Sequence, residues 1–109
     1  MKYVFDLDNT LCKTNDSDYI NSKPLLDRIK IVNKLYDDGN IITIFTARGM
    51  GSTDNNQIKA IKKYYSLTEK QLNDWGIKYH NLILGKPSGD YYIDDKGIND
   101  NEFFKRNSS

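Results

Sequence analysis

Two carboxylates, Asp6 and Asp8, follow an apolar segment at residues 3–5 and stand two positions apart. Aromatic and β-branched residues favour a β-strand in that segment, and residues i and i+2 of a strand point the same way. Two acids that point together repel each other and lose hydration, so they need a counter-charge. Carboxylate oxygens suit a hard divalent cation such as Mg2+. An Asp-rich turn is the alternative interpretation, because Asp and Asn are frequent in turns.

Polar side chains follow three later segments that also have the composition of strands. These segments lie at residues 41–45, 81–84 and 91–93. The polar residues that come after them are Thr46, Lys86, Asp94 and Asp95. In an open parallel sheet the carboxyl ends of the strands meet at one edge, and ligands bind there. The sequence therefore predicts four carboxylates, one hydroxyl and one positive charge at a single edge of a sheet.

Helical patterns separate the first three predicted strands. A first helix is predicted after Ser22, which offers an N-cap, and before Gly39, which can take the left-handed conformation. Its apolar stripe comprises Leu25, Ile29, Val32 and Tyr36. A second helix carries the apolar residues Ile58, Ile61 and Tyr65. Thr68 and Gln71 match a capping box, which predicts a separate short helix that ends at Gly76.

The order of these elements predicts the fold class. A last helix is expected at residues 99–106, after the fourth strand. Strands that alternate with helices predict an α/β fold with an open, mostly parallel, Rossmann-like sheet and helices on both faces. The continuous apolar run at residues 41–45 favours cover on both faces. A length of 109 residues suits one domain, residues 1–109.

Composition restricts the partners and the compartment. The formal net charge is +1, so the chain has no general attraction for nucleic acid or membranes, and an anion site must be built locally. No apolar run is long enough to span a bilayer, and no signal-peptide pattern is present. The single cysteine, Cys12, cannot form an internal disulfide. These features lead us to expect a cytoplasmic protein without a membrane or nucleic-acid partner.

The predicted edge combines groups that suit phosphate chemistry. A metal ion, the Lys86 ammonium and backbone N–H groups together neutralise and position a phosphoryl group. One carboxylate can serve as a covalent nucleophile, as in enzymes with an aspartyl-phosphate intermediate. A second carboxylate can donate a proton and then accept one.

The chain resembles the haloacid dehalogenase superfamily of phosphohydrolases over most of its length. The motifs that match in order and strand context are Asp6-Leu7-Asp8-Asn9-Thr10-Leu11, Thr46, Lys86 and Asp94-Asp95. The resemblance implies that Asp6 is the nucleophile and that Asp8 is the general acid and base. It also implies that Thr46 and Lys86 bind the phosphoryl group.

The same resemblance implies a magnesium site and a substrate contact. Asp6, the Asp8 main-chain carbonyl and Asp94 would ligate Mg2+, and Asp95 would ligate it or hold a metal-bound water. Ala47 lies beside Thr46 and is a further predicted substrate contact through its backbone. The Arg48 guanidinium is either a contact to a second anionic group of the substrate or a surface ion-pair residue.

A narrower similarity indicates the substrate class. The short length and the sequences Phe-Asp-Leu-Asp-Asn-Thr-Leu, Phe-Thr-Ala-Arg-Gly-Met and Gly-Lys-Pro resemble small bacterial capsule-biosynthesis phosphatases. This similarity implies a small phosphorylated sugar or polyol used in surface-polysaccharide synthesis. The alternatives are a phosphatase for a larger substrate, such as a nucleic-acid end or a phosphoprotein, and a non-catalytic phospho-receiver or phosphate-binding domain.

Many relatives in the superfamily carry an inserted cap domain, and this chain has no room for one. Residues 11–24 suffice for a flap, and residues 49–76 are occupied by predicted helices. We therefore expect a capless form. An open site excludes water poorly, so we expect the flap at residues 13–21, or a neighbouring subunit of a homo-oligomer, to cover it.

Overall fold

The computed structural model describes residues 1–108, which form strands, helices and a short flap. In chain order the elements are β1 (Lys2–Phe5), β2 (Cys12–Lys13), β3 (Lys23–Pro24), α1 (Leu26–Asp37), β4 (Ile41–Thr46), α2 (Gln57–Asp74), β5 (Asn81–Leu84) and α3 (Asp100–Arg106). A 3-10 helix at Tyr19–Asn21 precedes β3. The fold is an α/β domain without a cap, as the sequence predicts.

A parallel sheet of three strands, in the order β1-β4-β5, forms the centre of the fold. Phe5 pairs with Ile44, and Thr46 pairs with Leu84. This register brings the carboxyl ends of all three strands to one edge. The predicted open parallel sheet is confirmed, and so is the common edge for the residues that follow β1, β4 and β5.

One face of this sheet carries the core, and the opposite face is largely exposed. Phe5, Ile42 and Ile44 are buried together with side chains from all three helices. Full burial of each such side chain stabilises the fold by about 1.5–3 kcal/mol. On the other face Val4 is 65% exposed and Ile83 is 44% exposed. The predicted cover by helices on both faces is therefore wrong in this detail, since burial alternates along β4 as it does in a strand covered on one side.

Two predicted helix boundaries are also corrected. The helix α1 begins at Leu26 with Leu25 as its N-cap residue, and Ser22 does not cap it. Ser22 instead shares a hydrogen bond of 2.6 Å with the Thr14 hydroxyl, inside the flap. The predicted ending holds, because Gly39 has a φ of 94° directly after the helix.

The helix α2 is one continuous element of 18 residues, not two helices. The Asn56 side chain caps its start by accepting a hydrogen bond from the backbone N–H of Lys59, at 3.0 Å. Thr68 and Gln71 do not open a new helix. Both are buried inside α2, and their spacing of three residues places them on the same helix face.

The predicted fourth strand is not formed. Residues 91–93 have no strand pairing, and Tyr91 and Ile93 are 84% and 95% exposed. The segment after Gly85 is held by short-range contacts: the Tyr92 hydroxyl donates to the Pro87 carbonyl at 2.6 Å. In the described residues no helix is long and apolar enough to cross a membrane.

Candidate active site

The turn after β1 fixes the positions of Asp6 and Asp8. The Leu7 carbonyl accepts backbone hydrogen bonds from residues 10, 11 and 12 at 2.8–3.3 Å. Asn9 has a φ of 63°, in the left-handed region that Asn tolerates better than most residues. The turn is therefore tightly closed, and both carboxylates line a cavity of about 420 Å³.

Asp6 lies between a hydroxyl and a cation. The Thr10 hydroxyl donates a hydrogen bond to Oδ2 of Asp6 at 3.1 Å, and the Lys86 ammonium lies 3.4 Å from Oδ1. The Asp6 side chain is 36% exposed, so it is accessible to a ligand in the cavity. Thr10 is a site residue that the sequence reasoning missed, although it belongs to the motif that contains both acids.

Lys86 reaches Asp6 because the chain turns sharply after β5. Gly85 has a φ of +109°, and a side chain there would collide with Gln57 of α2. The Gln57 amide donates to the Leu84 carbonyl at 2.9 Å, which holds this turn against the helix. The Lys86 ammonium also lies 4.1 Å from the centre of the Tyr92 ring. Its position beside Asp6 is as predicted.

Asp8 accepts hydrogen bonds from two sides. The Thr14 hydroxyl donates to Oδ1 at 2.6 Å, and the Arg48 guanidinium donates to both oxygens at 3.0–3.3 Å. Because the Thr14 proton points to Asp8, the Ser22 hydroxyl is the donor in its contact with Thr14. The carboxylate is thus held in one orientation by a cation and a hydroxyl chain.

Arg48 is 1% exposed, so its interpretation as a surface ion-pair residue is wrong. Its Nη1 group donates to Thr68 at 3.2 Å and to Gln71 at 2.5 Å, and Nη2 also contacts the Cys12 sulfur at 4.0 Å. The two residues of the capping-box pattern are therefore hydrogen-bond acceptors for a buried arginine. The sequence signal for this role is two polar residues three positions apart on a face of α2 that is otherwise apolar.

Thr46 is the last residue of β4, and Ala47 follows the strand. Ala47 contributes to the cavity lining, while Thr46 is 1% exposed. The Thr46 hydroxyl accepts the backbone N–H of Arg48 at 3.2 Å, and its carbonyl accepts that of Lys86 at 3.2 Å. Thr46 therefore joins the ends of β4 and β5 and lies behind the surface that a ligand would touch.

The flap contributes several residues to the lining of the cavity. Asp16, Ser17 and Tyr19 line it from the flap, and Ser52 and Ser88 line it from two other loops. The Tyr19 ring packs edge-on against Tyr64 of α2 with 4.9 Å between ring centres. These contacts agree with the predicted role of the flap as a cover; a contribution from a neighbouring subunit stays a prediction.

The predicted magnesium ligands are only partly brought together. Asp6 and Asp8 line the cavity, whereas Asp94 and Asp95 are exposed and outside its lining, because the fourth strand does not form. Among residues 1–108 no group of three His, Cys, Asp or Glu side chains could hold a metal ion. Arg48 and Lys86 pair with Asp8 and Asp6 and supply part of the counter-charge that the two acids need. The described arrangement therefore does not complete the predicted ligand set.

Cys12 is buried directly behind Asp8. Burial raises the pKa of its thiol, and the nearby Asp8 carboxylate adds to that effect. A thiol with a raised pKa stays protonated at neutral pH and is a poor nucleophile. Its sulfur lies 3.6 Å from Oδ1 of Asp8. Cys12 therefore packs in the core.

This burial predicts a slow thiol reaction. We expect native protein to react with a thiol reagent far more slowly than urea-unfolded protein at neutral pH. The pKa of Cys12 is raised on folding, so its contribution to stability is complete below the ordinary thiol pKa and is lost as the pH rises through the raised value. Reagent kinetics at neutral pH measure the reactivity, and urea unfolding from neutral to alkaline pH measures the stability. Equal rates in the native and unfolded protein at neutral pH would contradict the assigned burial.

The fold and the site together define a small capless α/β domain with an Asp-Lys and an Asp-Arg pair where its strands end. No protein-family model matches the chain, and no curated protein matches it. A crystal structure of a structural genomics target from Vibrio cholerae is 33% identical, with a TM-score of 0.87 over 94% of this chain and 86% of that chain. The chain belongs to the same family as this Vibrio cholerae protein. That similarity confirms the fold and names no activity.

Proposed function

We propose that the protein is a phosphomonoester hydrolase that forms a phosphoryl intermediate on Asp6. The observation that carries the proposal is the pairing of an accessible carboxylate, Asp6, with the Lys86 ammonium 3.4 Å away. A second carboxylate, Asp8, lines the same cavity. A nucleophile, a cation for the phosphoryl oxygens and a group for proton transfer are the parts that such a reaction requires.

The residues of the chain account for both halves of the reaction. An oxygen of Asp6 attacks phosphorus, the bond from phosphorus to the ester oxygen breaks, and protonated Asp8 gives its proton to the leaving oxygen. In the second half the Asp8 carboxylate accepts a proton from water, which attacks phosphorus and releases phosphate from Asp6. Lys86 offsets the negative charge of the phosphoryl oxygens in both halves. Thr10 orients the attacking carboxylate through its hydrogen bond to Oδ2.

The residues that line the cavity favour a small hydroxylated substrate. Beyond the two catalytic carboxylates it presents the polar side chains of Asp16, Ser17, Ser52 and Ser88, together with the Tyr19 ring. Hydroxyl and carboxylate groups recognise sugar hydroxyls through hydrogen bonds, and an aromatic ring packs against the apolar face of a sugar. A phosphorylated sugar or polyol therefore suits this cavity. The narrower similarity to capsule-biosynthesis phosphatases indicates the same class.

One assay distinguishes the proposed function from two alternatives. A phosphatase for nucleic-acid ends or phosphoproteins would release phosphate from those substrates faster than from sugar phosphates. A phospho-receiver or phosphate-binding domain would bind phosphate without turnover. Phosphate release is measured over a panel of sugar phosphates, nucleotides and phosphopeptides, with Mg2+ and with EDTA. We expect turnover that is fastest on a sugar or polyol phosphate, and no turnover on any member of the panel would overturn the proposal.

Magnesium dependence is a separate prediction that rests on the family resemblance. We expect calorimetry to detect Mg2+ binding to the wild type and to lose it in Asp6→Asn, because that substitution removes one ligand oxygen and its charge. Asp38→Asn is the control, since Asp38 is an exposed acid after α1 that pairs with Lys34. It should bind Mg2+ as the wild type does. Absence of Mg2+ binding to the wild type would refute this prediction.

A further inference from the structure

Arg48 is buried at the centre of a polar network that joins Asp8 to the flap. We propose that Arg48 is a positioning residue for Asp8, and that Gln71 transmits the position of the flap to this pair. The inference rests on the proposed function, because it concerns the proton transfer that Asp8 performs. Arg48 borders the cavity, but its side chain has no exposed surface and is directed to other residues of the chain.

The donors of Arg48 are fully engaged. A guanidinium has five N–H groups and no acceptor. In this structure they face both oxygens of Asp8, the side chains of Thr68 and Gln71, and the sulfur of Cys12. The Arg48 side chain is 0% exposed in its pair with Asp8. No N–H group therefore remains for a substrate anion unless one of these bonds breaks.

The planar fork of Arg48 fixes the carboxylate of Asp8. Donation to both oxygens defines the plane and the rotation of a carboxylate, which a single point charge does not do. Thr14 donates to Oδ1 from the other side. Proton transfer in the transition state needs the donor and acceptor atoms in hydrogen-bond geometry, so this orientation bears directly on the rate.

Gln71 connects the same pair to the flap. Its Oε1 accepts from Arg48 at 2.5 Å, and its Nε2 donates to the Tyr19 carbonyl at 2.6 Å. The Tyr19 ring also lies over the Arg48 guanidinium, with 4.8 Å from Cζ to the ring centre. A displacement of the flap therefore acts on Arg48 through two contacts, and on Asp8 through Arg48.

The experiment compares two esters in the first turnover, with enzyme in excess. An activated aryl phosphate needs little proton transfer to its leaving group, whereas an alkyl phosphate needs it fully. The variants are Arg48→Lys, which keeps the charge without the fork, and Gln71→Met, which keeps the size without the two hydrogen bonds. Arg28→Lys is the matched control: Arg28 pairs with Asp100 at 2.6 Å, lies over Phe104 and donates to the Thr10 carbonyl at 3.0 Å. It perturbs the turn that carries Asp6 without a hydrogen bond to Asp8, Arg48 or Gln71. Thermal unfolding is recorded for all four proteins.

If Arg48 positions Asp8, the variants should slow the alkyl ester more than the aryl ester. We expect release of the alkyl alcohol to slow by about 10²-fold in Arg48→Lys, while release of the aryl alcohol slows much less. Gln71→Met should show the same split to a smaller degree, and it tests the proposal even if Arg48→Lys does not fold. Arg28→Lys should lower the unfolding temperature and slow both esters by the same factor.

The outcomes separate the inference from the function on which it rests. Equal slowing of both esters in Gln71→Met, or in folded Arg48→Lys, would overturn the positioning role while leaving the phosphatase intact. A raised KM with unchanged first-turnover rates would also overturn it, since a substrate contact behaves in that way. A wild type that releases neither alcohol would overturn the proposed function itself.

Discussion

Asp6→Asn is expected to abolish phosphate release from every substrate that the wild type hydrolyses. The amide keeps the shape of the side chain, and its oxygen can still accept the hydrogen bond from Thr10. It cannot form the acyl phosphate, because an amide oxygen is a far weaker nucleophile than a carboxylate oxygen. The ion pair with Lys86 is lost as well. Steady-state phosphate release under saturating substrate is the measurement.

A matched control separates this chemical effect from loss of folding. Asp37→Asn removes an acid that pairs with Lys78, and Asp37 lies at the end of α1, outside the site. An exposed pair of this kind contributes only about 0–1 kcal/mol to stability. We expect wild-type turnover from the control and an unchanged circular dichroism spectrum from Asp6→Asn. Turnover by folded Asp6→Asn at the wild-type rate would show that another residue attacks phosphorus.

Asp8→Asn is expected to lower turnover of an alkyl phosphate by about 10²–10⁴-fold, the usual contribution of general acid–base catalysis. The amide retains the size of the carboxylate but transfers no proton. With an activated aryl phosphate the variant should still release the first equivalent of alcohol, because that leaving group needs little protonation. It should then discharge the phosphoryl enzyme slowly, since the attacking water has no base. Rapid-quench measurement of both products follows the two steps.

The same variant weakens a buried ion pair, so its stability must be measured beside its activity. Arg48 has no exposure and loses the charge of its partner in Asp8→Asn, which is costly for a buried cation. Cys12→Ala is a comparison variant that perturbs the packing behind Asp8 and removes no charge. Wild-type turnover of the alkyl ester by folded Asp8→Asn would contradict the role of Asp8 in proton transfer.

Much of the fold was predictable because local signals and burial agree. The segment at 81–84 contains the apolar run at residues 82–84 and is followed by Gly85, and it is a strand with the predicted limits. Gly39 and Gly76 end their helices with positive φ values, as glycine does after a helix. The segment at 91–93 has the same aromatic and β-branched composition, yet it has no strand partner. Composition alone therefore did not distinguish it from a strand, because strand formation depends on pairing with a neighbour.

The sequence predicts which site residues lie near the ends of strands. It does not predict which of these residues contact one another. The turn after β1 and the residue after Gly85 bring Asp6 and Lys86 together, and both positions follow from strand order. The pairing of Asp8 with Arg48 depends on burial, which a sequence pattern does not reveal. The sequence pattern predicts a helix cap at Gln71, because the same spacing of three residues is found at a helix start and on a helix face. Only the packing of α2 against the flap distinguishes these two possibilities.

The central claim is a covalent phosphoryl group on Asp6, and mass spectrometry of a quenched reaction tests it most directly. Asp8→Asn is mixed with an activated aryl phosphate, quenched in acid within the first turnover and digested. We predict one added phosphoryl group on the peptide that contains Asp6, located on Asp6 by fragmentation and absent from Asp6→Asn treated in the same way. Release of the aryl alcohol without a phosphoryl group on Asp6, or with the group on another residue, would contradict the mechanism.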